Sequence, residues 1–195
     1  MPYPAGHRQR VRQKIVHSAR RLFNQHGFEG VSINQIMAGA GLTHGVFYNY
    51  FKSKSELYSD ALACFFTDPA WNNTWEGVEI DLKGARVGPQ VVRAYLSTQH
   101  FESVADSCPM VALPSDVARA KRGAKRAFET VFQAMVGFLE GDVRNPSNDA
   151  ATVARAIAAL CVGGMVVARA MDNRDYADEL RQACRIIALK LGGWR

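Results

Sequence analysis

Cysteine is scarce and scattered. Cys64, Cys108, Cys161 and Cys184 stand far apart, with no Cys-x-x-Cys pair and no clustered histidines. Neither a zinc site nor a disulfide framework is expected from such spacing, and reduced thiols in a reducing compartment are the simplest reading. Long apolar runs are missing too. The longest uncharged apolar stretch lies between Arg155 and Arg169, short of the roughly 20 residues that cross a bilayer. Met1 to Lys14 is polar and basic with no apolar run behind it, so no secretory signal is read there. A soluble, cytoplasmic protein with no membrane partner is the expectation. Also absent are internal repeats, low-complexity tracts and any segment with the period of two that marks a half-buried strand.

Negative charge is nearly absent from the first quarter of the chain. Up to Ser55 there are eight basic residues (Arg8, Arg10, Arg12, Lys14, Arg20, Arg21, Lys52 and Lys54) against Glu29 alone, a net +7. The remainder holds 16 Lys and Arg against 17 Asp and Glu, a net −1. A surplus so localised points to a polyanion such as nucleic acid as partner of the N-terminal part.

What is present is helical periodicity almost throughout. Val11, Ile15, Ala19, Leu22 and Phe23 form one apolar stripe, and Gly27 lies where that first helix should end. Ser32-x-x-Gln35 has the form of a capping box and opens a second helix. Gly39 and Gly41 break it, and Thr43 caps a third, very short helix ending near Tyr50. Ser53-x-x-Glu56 opens a fourth. Residues 68–89 read as a connector, Pro89 as the start of a fifth helix running to about Asp106, and Cys108-Pro109 as another start. Long helices are expected over about Lys121–Val143, Asp149–Met171 and Asp175–Leu191. The fold class is therefore all-α with about nine helices. Residues 1–53 form a small three-helix domain, and residues 54–195 a larger helical one.

Two short helices joined by a tight glycine turn are the arrangement that places one helix in the DNA major groove. A helix as short as Thr43–Tyr50 is unstable alone. Val46, Phe47 and Phe51 must prop it, which leaves Thr43, His44, Gly45, Tyr48 and Asn49 facing outward. Lys54 sits in the first turn of a helix, where the dipole disfavours a cation, and a nearby phosphate would remove the conflict.

The run from Gly41 to Leu57, GLTHGVFYNYFKSKSEL, resembles the signature of the TetR/AcrR family of one-component regulators. Ala19 to Phe23, Gly27-Phe28 and Val31-Ser32-Ile33-x-x-Ile36 also fall where that family has its pattern, so the likeness covers about 50 residues. It implies a dimeric repressor on a palindromic double-stranded DNA operator, released by a small, largely apolar effector. It also implies that Thr43, His44 and Gly45 face base edges, that Tyr48, Asn49 and Lys54 hold the backbone, and that Ser32 belongs to the same face. His44 occupies a position that varies widely in the family, so no base preference carries over.

Two further expectations follow for residues 54–195. One apolar side of the penultimate helix (Val153, Ile157, Leu160, Cys161, Gly164, Ala168 and Met171) and one of the last (Leu180, Cys184, Ile187 and Leu191) form a seam. By the resemblance, these two helices build the homodimer. The family's effector pocket lies among the middle helices, where Phe65, Trp71, Trp75, Tyr95 and His100, with Phe101, Met110, Phe128, Phe132 and Met165, supply aromatic and flexible apolar surface. The stretch after Ser107 resembles a branch in which Cys-Pro opens the sixth helix. Cys108 at a helix start, where the dipole lowers a thiol's pKa, is a candidate redox or electrophile sensor, with a structural cap as the alternative. No cofactor and no metal is expected. No Ser-His-Asp, paired-carboxylate, phosphate-loop or metal-ligand pattern supports an enzyme. The nearly neutral second domain, rich in pocket-type residues, argues against an architectural DNA-binding protein that ignores ligands, and the charge asymmetry and short third helix against a helical interaction module with no DNA role.

Overall fold

The computed structural model describes residues 5–65, 78, 80–81, 84–144 and 149–194. Among these the chain is all-helical, without strands. The N-terminal unit contains α1 (Ala5–His26), α2 (Ile33–Gly39) and a six-residue 3-10 helix, η1 (His44–Asn49). There follow α3 (Lys54–Ala63), α4 (Val87–Tyr95), α5 (Thr98–Glu102), α6 (Pro109–Ala112), α7 (Pro114–Arg119), α8 (Arg122–Glu140), α9 (Ala150–Arg169) and α10 (Arg174–Leu191).

Local chemistry sets most of these boundaries. Gly27 ends α1 with φ +70°, and Gly41 reverses the chain after α2 with φ +71°, both in the left-handed region where only glycine is unstrained. Ser32 completes the capping box: its hydroxyl accepts from the Gln35 amide, and the Gln35 side chain accepts from the Ser32 amide at 2.8 Å. Cys108 is the N-cap of α6, with Pro109 in the first turn.

The region expected as one helix from Pro89 to Asp106 is two. It breaks at Leu96 and Ser97, with Ser97 capping α5 through the His100 amide at 3.1 Å. The carbonyls freed by the break find side chains. Arg181 donates to the Leu96 carbonyl at 3.1 Å, and the His100 ring donates to that of Tyr95 at 2.6 Å. A long-range partner makes the break affordable, and helical periodicity carries no trace of it.

Two cores result. The first packs Ile15, Ala19 and Phe23 of α1 with Ile36, Met37, Phe47, Phe51, Leu57 and Tyr58, and it also takes Leu113, Val117, Ala124 and Ala127 from α7 and α8. α3 thus shares the first core, although it begins after the expected domain edge at residue 53. The second core packs α4, α6 and α8 on α9 and α10 around Tyr95, Met110, Met135, Ile157, Cys161 and Met165. α9 is long and apolar enough to cross a membrane, because Ala150–Arg169 extends the apolar stretch to the N-terminal side of Arg155. Its inner side is instead buried in that core.

Candidate nucleic-acid interface

η1 stands only because the rest of the N-terminal unit holds it. Phe47 is fully buried, worth about 1.5–3 kcal/mol of side-chain burial, and Phe51 stacks against it at 5.8 Å. Arg8 of α1 donates to the Asn49 carbonyl at 3.1 Å, at the end of η1. Arg12 lies over the Phe51 ring and pairs with Asp60 of α3. The short helix expected here winds as a 3-10 helix, and six residues is long for that tighter geometry.

The outward face carries the residues that the sequence places there. Thr43, His44, Gly45, Tyr48 and Asn49 are all exposed. Tyr48 is 60% exposed, unusual for a large aromatic, and its ring meets His44 edge-on at 5.9 Å. Nothing among the described residues requires Gly45 to be glycine. Its φ is not left-handed, and an added Cβ would meet nothing within 4 Å. A glycine costs a helix free energy relative to alanine, so its use here suits close approach from outside.

Ser32 is exposed beside this face, though its hydroxyl is committed to the cap of α2. Lys54 is differently placed. Its ammonium donates to the Val31 carbonyl at 2.7 Å and lies 4.3 Å from the centre of the Phe28 ring. The unfavourable dipole position is compensated inside the chain, so the electrostatic reason for a phosphate partner at Lys54 falls away. Other basic residues are internal struts as well: Arg20 is buried over Phe65, and Arg21 pairs with Asp106. Arg10, Lys14 and Lys52 remain exposed.

Behind the N-terminal unit, the residues singled out for a pocket come together as packed core. Phe65, Tyr95, Met110 and Met165 are buried in one cluster, with Phe101, Phe128 and Phe132 packed at its edge. Trp71 and Trp75 lie outside the described residues. His100 is fully buried and structural. Its Nδ1–H donates to the Tyr95 carbonyl and its Nε2 accepts from the Cys108 amide at 3.2 Å, which fixes the tautomer. Burial pushes its pKa down to about 3, so the ring is neutral at pH 7. The Tyr95 hydroxyl is buried against the Cys108 thiol without a full hydrogen bond.

The expectation of a lowered pKa at Cys108 is corrected. The residue does cap a helix, but it is fully buried, and burial pushes its thiol up to about 11. Desolvation outweighs the dipole of a four-residue helix.

The expected seam on the last helices is split: its α9 residues turn largely inward, while on α10 Cys184 turns inward and Ile187 outward. Val153, Ile157, Cys161, Gly164, Ala168 and Cys184 face the chain's own core. The outward stripe lies alongside: Ala156, Ala159, Gly163 and Val167 on α9, with Tyr176, Ala183, Ile186 and Ile187 on α10. Val167, Ile186 and Ile187 are each about half exposed.

Sequence reasoning missed the polar ties that fasten the N-terminal unit to the rest. Asn24 donates to the carbonyls of Ala105 (3.0 Å) and Ser107 (2.8 Å). Arg169 donates to the Ser107 hydroxyl at 2.9 Å, to the Phe101 carbonyl at 3.2 Å and to that of His100. Asp116 accepts from the Phe28 amide at 2.8 Å. The sole signal was a buried-side Asn24 and an Arg169 ending an otherwise apolar helix.

Residues 15–61 match the family model described as bacterial regulatory proteins, tetR family. The HTH-type transcriptional regulator AcrR of Shigella flexneri is 44% identical over 52 residues, which are 27% of this chain and 24% of AcrR. The matched segment thus spans about a quarter of that curated relative. The fold of the whole chain resembles the crystal structure of reduced Escherichia coli NemR (TM-score 0.70, 17% identity), covering 92% of this chain and 95% of that one. It also resembles SmeT in complex with triclosan (TM-score 0.62, 17% identity), covering 92% and 90%. Residues 15–61 therefore belong to the tetR family of bacterial regulatory proteins, and the chain as a whole shares the fold of these solved structures.

Proposed function

We infer that the protein is a dimeric repressor whose N-terminal unit, residues 1–53, reads a palindromic operator and whose residues 54–195 bind an effector and pair the two copies. The observation that carries this is the outward face of η1: a helix propped from behind, with a glycine that nothing among the described residues requires. In this reading Thr43, His44 and Gly45 approach base edges in the major groove, and Tyr48 and Asn49 hold phosphates. Ser32 and Lys54 sit at the margin of the footprint, where Lys54 would have to leave Val31 to reach a phosphate. Arg10, Lys14 and Lys52 supply sequence-independent attraction.

The outward stripe of α9 and α10 supports a twofold dimer, with the exposed Gly163 allowing close helix approach. Two heads then meet half-sites about one helical turn, roughly 34 Å, apart. The core around Phe65, Tyr95, Phe101 and Phe128 is where a small, largely apolar effector would lodge, with the unsatisfied Tyr95 hydroxyl as its polar handle. The related fold of SmeT holding triclosan supports a ligand of that character. Effector binding shifts the population toward a form whose half-site spacing no longer fits.

Selection from random duplexes, followed by anisotropy titration at fixed salt, tests the reading. A palindrome should be enriched, Tyr48→Ala should weaken binding on every sequence, and His44→Ala should change preference among sequences. Both variants binding like the unaltered protein would overturn it.

A further inference from the structure

A cleft of about 620 Å³ opens where the turn after α1, the outer side of α3 and the α7–α8 junction meet. That volume is of the order that encloses a small organic molecule. Tyr58 lines it. The side chain is 1% exposed, its ring stands edge-on to Phe23 at 5.0 Å and beside Phe28 at 4.8 Å, and its hydroxyl, closed to solvent, has no hydrogen-bond partner among the described residues. Burying a hydroxyl without a partner costs stability, and phenylalanine would fill the same space without that cost. An oxygen kept under those terms asks for a partner from outside the chain.

The charge of the cleft runs against its surroundings. Glu29, Glu56, Asp60 and Asp116 line it with Arg119 and Lys121, a net −2 in the neighbourhood of a segment carrying +7. Asp60 and Asp116 are engaged with Arg12 and Arg119. Glu29 and Glu56 are exposed at the rim, Glu56 accepting from the Lys52 amide at 2.7 Å.

We propose that this cleft is a second small-molecule site, separate from the effector core inferred above, for a compact aromatic cation that also carries a hydrogen-bond acceptor. The Tyr58 hydroxyl donates to the acceptor, Phe28 packs on the ring, and Glu29 and Glu56 attract the cation. The position has a consequence that rests on the DNA-binding reading. Asp116, on the cleft wall, holds the Phe28 amide, and a Cβ at Gly27 would lie 2.8 Å from the same carboxylate. An occupant therefore sits at the joint between the reading head and the rest of the chain, and occupancy sets the angle of that joint.

Binding itself needs no DNA, so the test separates the two readings. The full-length protein is titrated calorimetrically with 4-(aminomethyl)benzamide, its neutral analogue 4-methylbenzamide and the anionic 4-carbamoylbenzoic acid. The cation should bind at least about five-fold tighter than the neutral amide and far tighter than the anion. Tyr58→Phe should weaken both amides by about three- to ten-fold, the range of one hydrogen bond, with Tm unchanged or raised. Glu29→Gln should narrow the gap between cation and neutral amide. Absence of binding by the cation, equal binding of all three probes, or unchanged affinity in Tyr58→Phe would overturn the proposal. A fall in Tm on Tyr58→Phe would do so as well, because it would show that the hydroxyl already has a partner.

Discussion

Replacing Gly45 by alanine separates a structural glycine from one that makes room for DNA. The backbone there is outside the left-handed region and the new methyl meets no atom within 4 Å, so the fold has nothing to lose. Helix propensity favours alanine by about 0.5–1 kcal/mol, less in a 3-10 turn. For a chain of 195 residues that corresponds to a rise in Tm of at most about 3 °C. On DNA the sign reverses. A methyl group at the point of closest approach pushes η1 outward and weakens the contacts of its neighbours Thr43 and His44. A good base contact discriminates by about 1–3 kcal/mol, so affinity should fall by about 10- to 100-fold. Thermal melting and anisotropy titration on one preparation give both numbers, at one salt concentration because phosphate binding is steeply salt-dependent. Unchanged affinity would mean that Gly45 does not face the groove. Parallel losses of Tm and affinity would mean that the glycine serves the fold.

Three further outcomes are expected. Ile186→Glu, on the outward stripe of α10, should reduce the mass measured by light scattering from twice 21.5 kDa to that of one chain; a dimer that persists would place the interface elsewhere. Stability should decline as pH falls below His100's unfolded value of 6.5 toward its folded value of about 3, because the unfolded chain takes up the proton first. At pH 5 the loss is about 2 kcal/mol, visible as a lower denaturant midpoint that His100→Gln should render less pH-sensitive. Cys108, with its thiol raised to about 11, should alkylate slowly with iodoacetamide at pH 7.5 until the protein is unfolded; rapid labelling of the native protein would restore the sensor reading.

The reading head was legible because its chemistry is local. A capping box at Ser32, the left-handed Gly41 and the inward Phe47 all act within a few residues. Periodicity also located the long helices to within a few residues, although it could not set their rotation. On α9 it ranked Val153, Ile157 and Cys161 as a seam, but α9 is apolar on nearly every side, so the inner and outer faces look alike in sequence. The break at Leu96 was hidden because Arg181, 85 residues away, supplies the missing hydrogen bond. At Lys54 and Cys108 the helix-dipole argument was incomplete for a related reason. Each sits at a helix start where the dipole argument is sound, but the Val31 carbonyl in one case and complete burial in the other outweigh it. Such partners come from tertiary structure alone.

Arg169 ends the helix whose outer side is apolar, and it holds the Ser107 hydroxyl, while the Ser107 carbonyl receives Asn24 of α1. Only two hydrogen-bonded steps therefore separate the rear of the molecule from the long rod that carries the groove-facing end. Pressure on that rear surface would reach the front through Ser107, alongside the Arg21–Asp106 pair and the Asp116–Phe28 bond. In the dimer proposed above, a change on the mating surface is therefore felt at the reading heads as well.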